Sequence, residues 1–198
     1  AMNSLNQELT TDLAAALAAV RRDPAVRVAV LTGNGKAFCA GGDLNYLAGL
    51  DTPAACRDFI SQAGANVESI LNLEKPVIAM VNGVAAGAGF NIALACDVVF
   101  CASTAKFAQS FSKVGLVPDC GGLFLLPRLV GLHKAKELMF TADLIDATQA
   151  LALGLVNQVV EPADLADATY KFARRLAACA PLALGMIKKM VNRSDSLD

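Results

Sequence analysis

With 198 residues, 55% of them apolar and 18% charged, the chain suits one domain with a sizeable buried core and is too apolar to be disordered. A net charge of −1 without a basic cluster argues against a nucleic-acid partner, and no apolar run reaches the length of a membrane span. Six cysteines without a CxxC pair, and one histidine, His133, speak against a disulfide framework or a metal site; reduced core cysteines of a cytoplasmic protein are expected.

Ser4 and Gln7 have capping-box spacing, and Leu5, Leu9, Leu13, Leu17 and Val20 recur at helical intervals, which predicts a helix over 4–22. A β-branched strand follows at 26–32, then the loop Gly33-Asn34-Gly35 and a glycine-marked turn within 36–44 that enters a helix. The pattern continues with a helix over 53–73, a buried strand over 76–81 and an alanine-rich helix over 88–95. Next come a strand at 97–102, an extended piece at 106–109 and a third glycine turn at 115–122. Helical patterns at 123–130, 133–141 and 147–153 precede a last strand at 156–160 and helices over 163–179 and 182–192. Strands alternating with helices indicate a single α/β domain over 1–198 with a largely parallel sheet.

Two turns carry small residues at a strand-to-helix junction, Cys39-Ala40-Gly41-Gly42 and Ala86-Gly87-Ala88-Gly89. If they converge, one backbone N–H from each can bind the same oxygen and stabilise it as it becomes anionic. Taken singly, each turn is equally a device for close packing. Asp119, before Cys120-Gly121-Gly122, reads locally as the N-cap of a helix starting at Gly121 or Gly122, and Asp43 as the cap of a helix from Leu44. Asp97 reads as structural, His133 as a solvated surface residue, and Arg128 as a partner for a carboxylate or a helix C-terminus.

Phe38-Cys39-Ala40-Gly41-Gly42-Asp43-Leu44, together with Asn82-Gly83-Val84-Ala85-Ala86-Gly87-Ala88-Gly89, resembles the paired signature of the crotonase superfamily, the enoyl-CoA hydratases and isomerases. The likeness continues through Ala95-Cys96-Asp97, Val117 to Gly122, Leu126 to Gly131 and Ala150 to Val156. It implies a ββα spiral core that binds acyl-CoA thioesters, here apparently lacking the N-terminal hairpin and the last C-terminal helices. It also implies oxyanion donors at the N–H groups of Ala40 and Ala88, and a homotrimer or dimer of trimers.

Where the family's hydratases carry two glutamates, this chain has Asn91 and Phe111, so hydration by a glutamate pair is not expected. Asp119 is the carboxylate that remains, as in the aspartate-bearing isomerases of phenylacetate degradation. The resemblance therefore implies double-bond isomerisation of an enoyl-CoA with Asp119 as acid and base. Hydratase, hydrolase or dehalogenase chemistry at Asp119 is an alternative, as is a catalytically silent acyl-CoA-binding protein. Lys36, Ala37, Phe38, Gly41, Asp43 and Leu44 match CoA-side positions, and Gly87, Phe111 and Pro118 complete the substrate-binding set. No metal and no cofactor beyond the CoA of the substrate is implied.

Overall fold

The computed structural model describes residues 2–194. Helix α1 (Gln7–Arg22) is followed by strands β1 (Ala29–Thr32) and β2 (Ala37–Cys39), then helices α2 (Leu44–Ala48) and α3 (Pro53–Leu71). Strands β3 (Val77–Val81) and β4 (Val84–Ala86) lead into α4 (Ala88–Ala95); β5 (Val98–Ala102) and β6 (Lys106–Ala108) lead through a 3-10 turn at Ser110–Val114 into α5 (Gly122–Thr141). The chain ends with β7 (Ile145–Asp146), α6 (Ala147–Ala152), β8 (Gln158–Val160), α7 (Leu165–Ala177) and α8 (Pro181–Val191).

The strands form two four-stranded sheets, ordered β1-β3-β5-β8 and β2-β4-β6-β7. The first three successive strand pairs thus give their first strand to one sheet and their second to the other, the alternation expected of a ββα spiral, and the last pair reverses the order, β7 joining β6 and β8 joining β5. All pairings are parallel except β6 with β7. A parallel sheet must be covered on its faces, and the apolar runs of β3 and β5 are buried accordingly. All eight residues of α4 are buried, and Phe90 on that helix packs against Phe107 of β6 with ring centroids 5.2 Å apart.

Several local expectations change in the structure. Helix α1 is capped by Asn6 rather than Ser4: the Asn6 side chain accepts from the Leu9 N–H at 2.9 Å. The strand expected from Val26 begins only at Ala29, because Val26 still donates to the Asp23 carbonyl in a turn. Strands β2 and β4 were not expected; at three residues each they are too short to show an alternating pattern. The two helices expected at 123–130 and 133–141 are the halves of α5, which breaks at Gly131 (φ 77°, ψ 163°). Asp97 is structural as expected, its Oδ2 accepting from the Val77 N–H at 2.7 Å and pairing with Lys188 Nζ at 2.8 Å. Among the described residues no helix is long and apolar enough to cross a membrane.

Candidate active site

The site is built from three turns. The first lies between β2 and α2 and is held from behind by the segment before α1. Leu5 donates to the Gly41 carbonyl at 2.8 Å and accepts from the Asp43 N–H at 2.9 Å. The Ala40 N–H donates to the Met2 carbonyl at 3.1 Å, so it is not the open donor that the sequence suggested. The open donors of this turn are Gly41 and Gly42, whose N–H groups have no hydrogen-bond partner among the described residues. A pairing between residues nearly forty positions apart decides this, which a local motif does not reveal.

The second turn starts α4. Gly87, at φ 51°, precedes the helix, and the Ala88 N–H is the first of the orphan donors at its N-terminus. The two turns touch: a Cβ built on Gly41, itself at φ 95°, would lie 2.9 Å from the Ala86 carbonyl oxygen and 3.6 Å from the Ala88 nitrogen. Gly89 permits this approach, because its Cβ would stand 2.6 Å from Cys39 Cβ and 2.7 Å from Cys39 Sγ. Gly89→Ala is therefore expected to push β2 from α4, costing about 1–3 kcal/mol of stability as overpacking does. Chemical denaturation would show the loss.

The third turn carries Asp119. The Gly122 N–H donates back to the Asp119 carbonyl at 2.9 Å, while Cys120 (φ 47°) and Gly121 (φ 76°) occupy the left-handed region between them. This is the pattern of a type I′ turn with a non-glycine at a strained position. Helix α5 takes Gly121 as its N-cap and receives no side-chain cap, so Asp119 does not serve the capping role its local sequence suggested. Its carboxyl is half-buried, and Oδ1 is buried without a hydrogen-bond partner. Burial pushes its pKa above the ordinary aspartate range, opposed by hydrogen bonds from the Cys120 thiol and its own backbone. The Cys120 thiol is held protonated in turn, by burial and by the charge of Asp119.

Asn91, fully buried on α4, joins the second and third turns by donating from Nδ2 to the Asp119 carbonyl at 2.8 Å. Its Oδ1 accepts from Gln109 Nε2 at 2.7 Å. The sequence marked Asn91 only as the place of a missing glutamate and passed over Gln109. A polar pair inside otherwise apolar elements was the available signal.

The remaining expected residues fall into two groups. Gly41, Gly87, Phe111 and Pro118 lie at the converging turns; a Cβ on Gly87 would meet Ser110 Oγ at 3.2 Å and the Phe111 ring at 3.7 Å. Ala37 and Phe38 are buried, their carbonyls tied by Asn3, and Ala37's also by Asn82. Asp43 caps α2 through Asn45 and Tyr46, which supports its capping role. Lys36 and Leu44 stand exposed beside the first turn. Of the six cysteines, all free, Cys39, Cys96, Cys101 and Cys120 are core residues, whereas Cys179 is exposed and Cys56 half-buried. His133 is exposed as expected, and Arg128 stacks on the Phe124 ring at 3.5 Å and donates to its carbonyl.

Residues 1–198 match the enoyl-CoA hydratase/isomerase family. The chain is 42% identical to the 1,2-epoxyphenylacetyl-CoA isomerase of Escherichia coli (strain K12), over 98% of its own length and 76% of the relative's. It is 41% identical to the crotonyl-CoA hydratase of Syntrophomonas wolfei, over 100% and 76% of the two chains. Its fold superposes on the crystal structure of an enoyl-CoA hydratase from Bacillus anthracis with a TM-score of 0.95 at 35% identity, covering 100% of this chain and 76% of that one. Two sheets fed by alternating strands, convergent turns with open N–H groups and these likenesses agree: the chain belongs to the enoyl-CoA hydratase/isomerase family, the crotonase superfamily.

Proposed function

We propose that the protein isomerises the double bond of an enoyl-CoA, with Asp119 as both acid and base and the N–H groups of Gly42 and Ala88 as oxyanion donors. The observation that carries this reading is a half-buried carboxyl with one unpartnered oxygen, on a turn joined to the helix that presents the Ala88 N–H. The Asp119 carboxylate takes a proton from the α-carbon of a β,γ-enoyl thioester, and the electron pair moves into the carbonyl. The two N–H groups hold the dienolate oxygen, and the carboxyl returns the proton to the γ-carbon, leaving an α,β double bond.

One carboxylate suffices for this shift, whereas adding water calls for a second acid–base group that Asn91 and Phe111 do not supply. The name of the Escherichia coli relative, an isomerase of a CoA thioester, favours the same class of chemistry. Exposed Lys36 and Leu44 beside the first turn suit the CoA portion, and the reaction needs no other cofactor.

Turnover of a 3-enoyl-CoA in deuterated water tests the reading. A conjugated 2-enoyl product that has taken up no water supports isomerisation, and its deuterium content reports how far the Asp119 proton exchanges with solvent before it is returned. A product heavier by one water establishes hydration in its place. Binding of the CoA ester with no conversion establishes a silent binding protein.

A further inference from the structure

The Asp119 carbonyl can only accept, so the Asn91 amide facing it must present Nδ2. Asn91 Oδ1 is then left to accept, and Gln109 Nε2 fills that role. A chain of two amides therefore runs from Gln109 through Asn91 to Asp119, its direction set by its last member. Asn91 and Gln109 are both almost wholly buried, so solvent does not compete with either bond.

The turn is fitted to this chain. A Cβ on Gly122 would lie 2.8 Å from Asn91 Cγ, which only glycine allows without displacement. The backbone that Asn91 grips is the strained one, with Cys120 at φ 47°. Asn91 also sits three residues beyond Ala88 on the same short helix, so a shift of the Asp119 turn is a shift relative to that N–H.

We propose that Asn91 and Gln109 are positioning residues, which hold Asp119 in register with the Ala88 N–H through this buried amide chain. The proposal rests on the acid–base role given to Asp119 above. It predicts that the chain governs the rate of proton transfer more than the binding of CoA ester.

The test measures kcat and KM for a 3-enoyl-CoA, and the carbon-13 titration of the Asp119 carboxyl, in the parent, Asn91→Asp, Asn91→Ala and Gln109→Ala. Asn91→Asp keeps the shape but sets a carboxylate against the Asp119 carbonyl; kcat is expected to fall about 100-fold, as for an ångström-scale misplacement, with KM changed little. Turnover recovers as pH falls and the new carboxyl, once protonated, can donate again, giving a descending limb toward high pH that the parent lacks. In Asn91→Ala and Gln109→Ala the loosened Asp119 carboxyl is expected to titrate about one unit lower, as it gains access to water.

Parent kcat and unchanged carboxyl titration in folded variants overturn the proposal. Gln109→Ala leaves the Asn91 contact in place and supplies both readouts if the Asn91 variants do not fold. Asp119→Asn distinguishes the two levels: if it retains parent turnover, the acid–base reading fails, and the carboxyl titration alone still decides the clamp.

Discussion

Asp119→Asn is expected to lower enoyl-CoA turnover about 1,000-fold or more, because in the proposed isomerisation one carboxyl would perform both proton transfers and each such role contributes about 10²–10⁴-fold. Calorimetric affinity for a saturated acyl-CoA is expected to stay near that of the parent, since the N–H donors are untouched. The parent itself is expected to lose turnover as pH falls through the raised pKa of Asp119, above the ordinary carboxylate range, because only the ionised form can remove a proton. The linkage to stability has the opposite sign. A folded pKa above the unfolded value favours the protonated native state, and that stability is lost as pH rises through the folded pKa. Above that folded pKa the parent carries the cost of a buried anion with an unpartnered oxygen, and there Asp119→Asn is expected to melt higher. Equal turnover at all pH values, or a lower melting temperature, would count against this role for the carboxyl.

Lys188→Met is expected to be strongly destabilising although it lies away from the active site. Lys188 on α8 is buried and contacts Asp97 Oδ2 at 2.8 Å and the Lys75 carbonyl at 3.3 Å. The same Asp97 oxygen accepts the first N–H of β3, so the pair ties the last helix to the central sheet. Burial already raises the Asp97 pKa, with Lys188 as the main opposing influence. Removing the ammonium leaves a carboxylate that its environment does not solvate. The expected loss is about 3 kcal/mol, the lower end for a broken buried pair, because the Asp97 side chain keeps 22% exposure. The loss shrinks at acid pH, where Asp97 becomes protonated, and adding Asp97→Asn recovers much of it. Urea unfolding at two pH values measures both effects, and a purely additive double variant would sink the idea.

Much of the architecture could be read directly because apolar runs such as Val77 to Val81 and the leucine spacing of α1 encode burial locally. The break between the halves of α5 was visible for the same reason, glycine interrupting an otherwise helical pattern. What could not be read depends on partners distant in sequence. Ala40 and Gly42 are equivalent on paper until the Met2 carbonyl arrives and takes the N–H of Ala40 but not that of Gly42. Asp119 looks like a helix cap until Cys120 and Gly121 turn left-handed and the helix starts without it. Asn91 looked like a missing glutamate because comparison with a catalytic pattern asks what a residue fails to be. Its packing against Gly122 and its bond to Asp119 show what it is.

The alternation of strands between two sheets also sets how the chain reaches its native state. Only Asn82 and Gly83 separate β3 from β4, so fixing the register of one sheet fixes that of the other. Among the described residues the only strand paired with its immediate successor is β6, which meets β7 across the long connection that holds α5; β1 must wait for β3, β2 for β4, and β5 for β8. Little sheet structure can be gained before loops of many residues close, and loop closure is paid in entropy before any strand contact rewards it. Such a chain is expected to fold slowly for its size, and its three turns, each following a strand of the second sheet, are completed only when that sheet is.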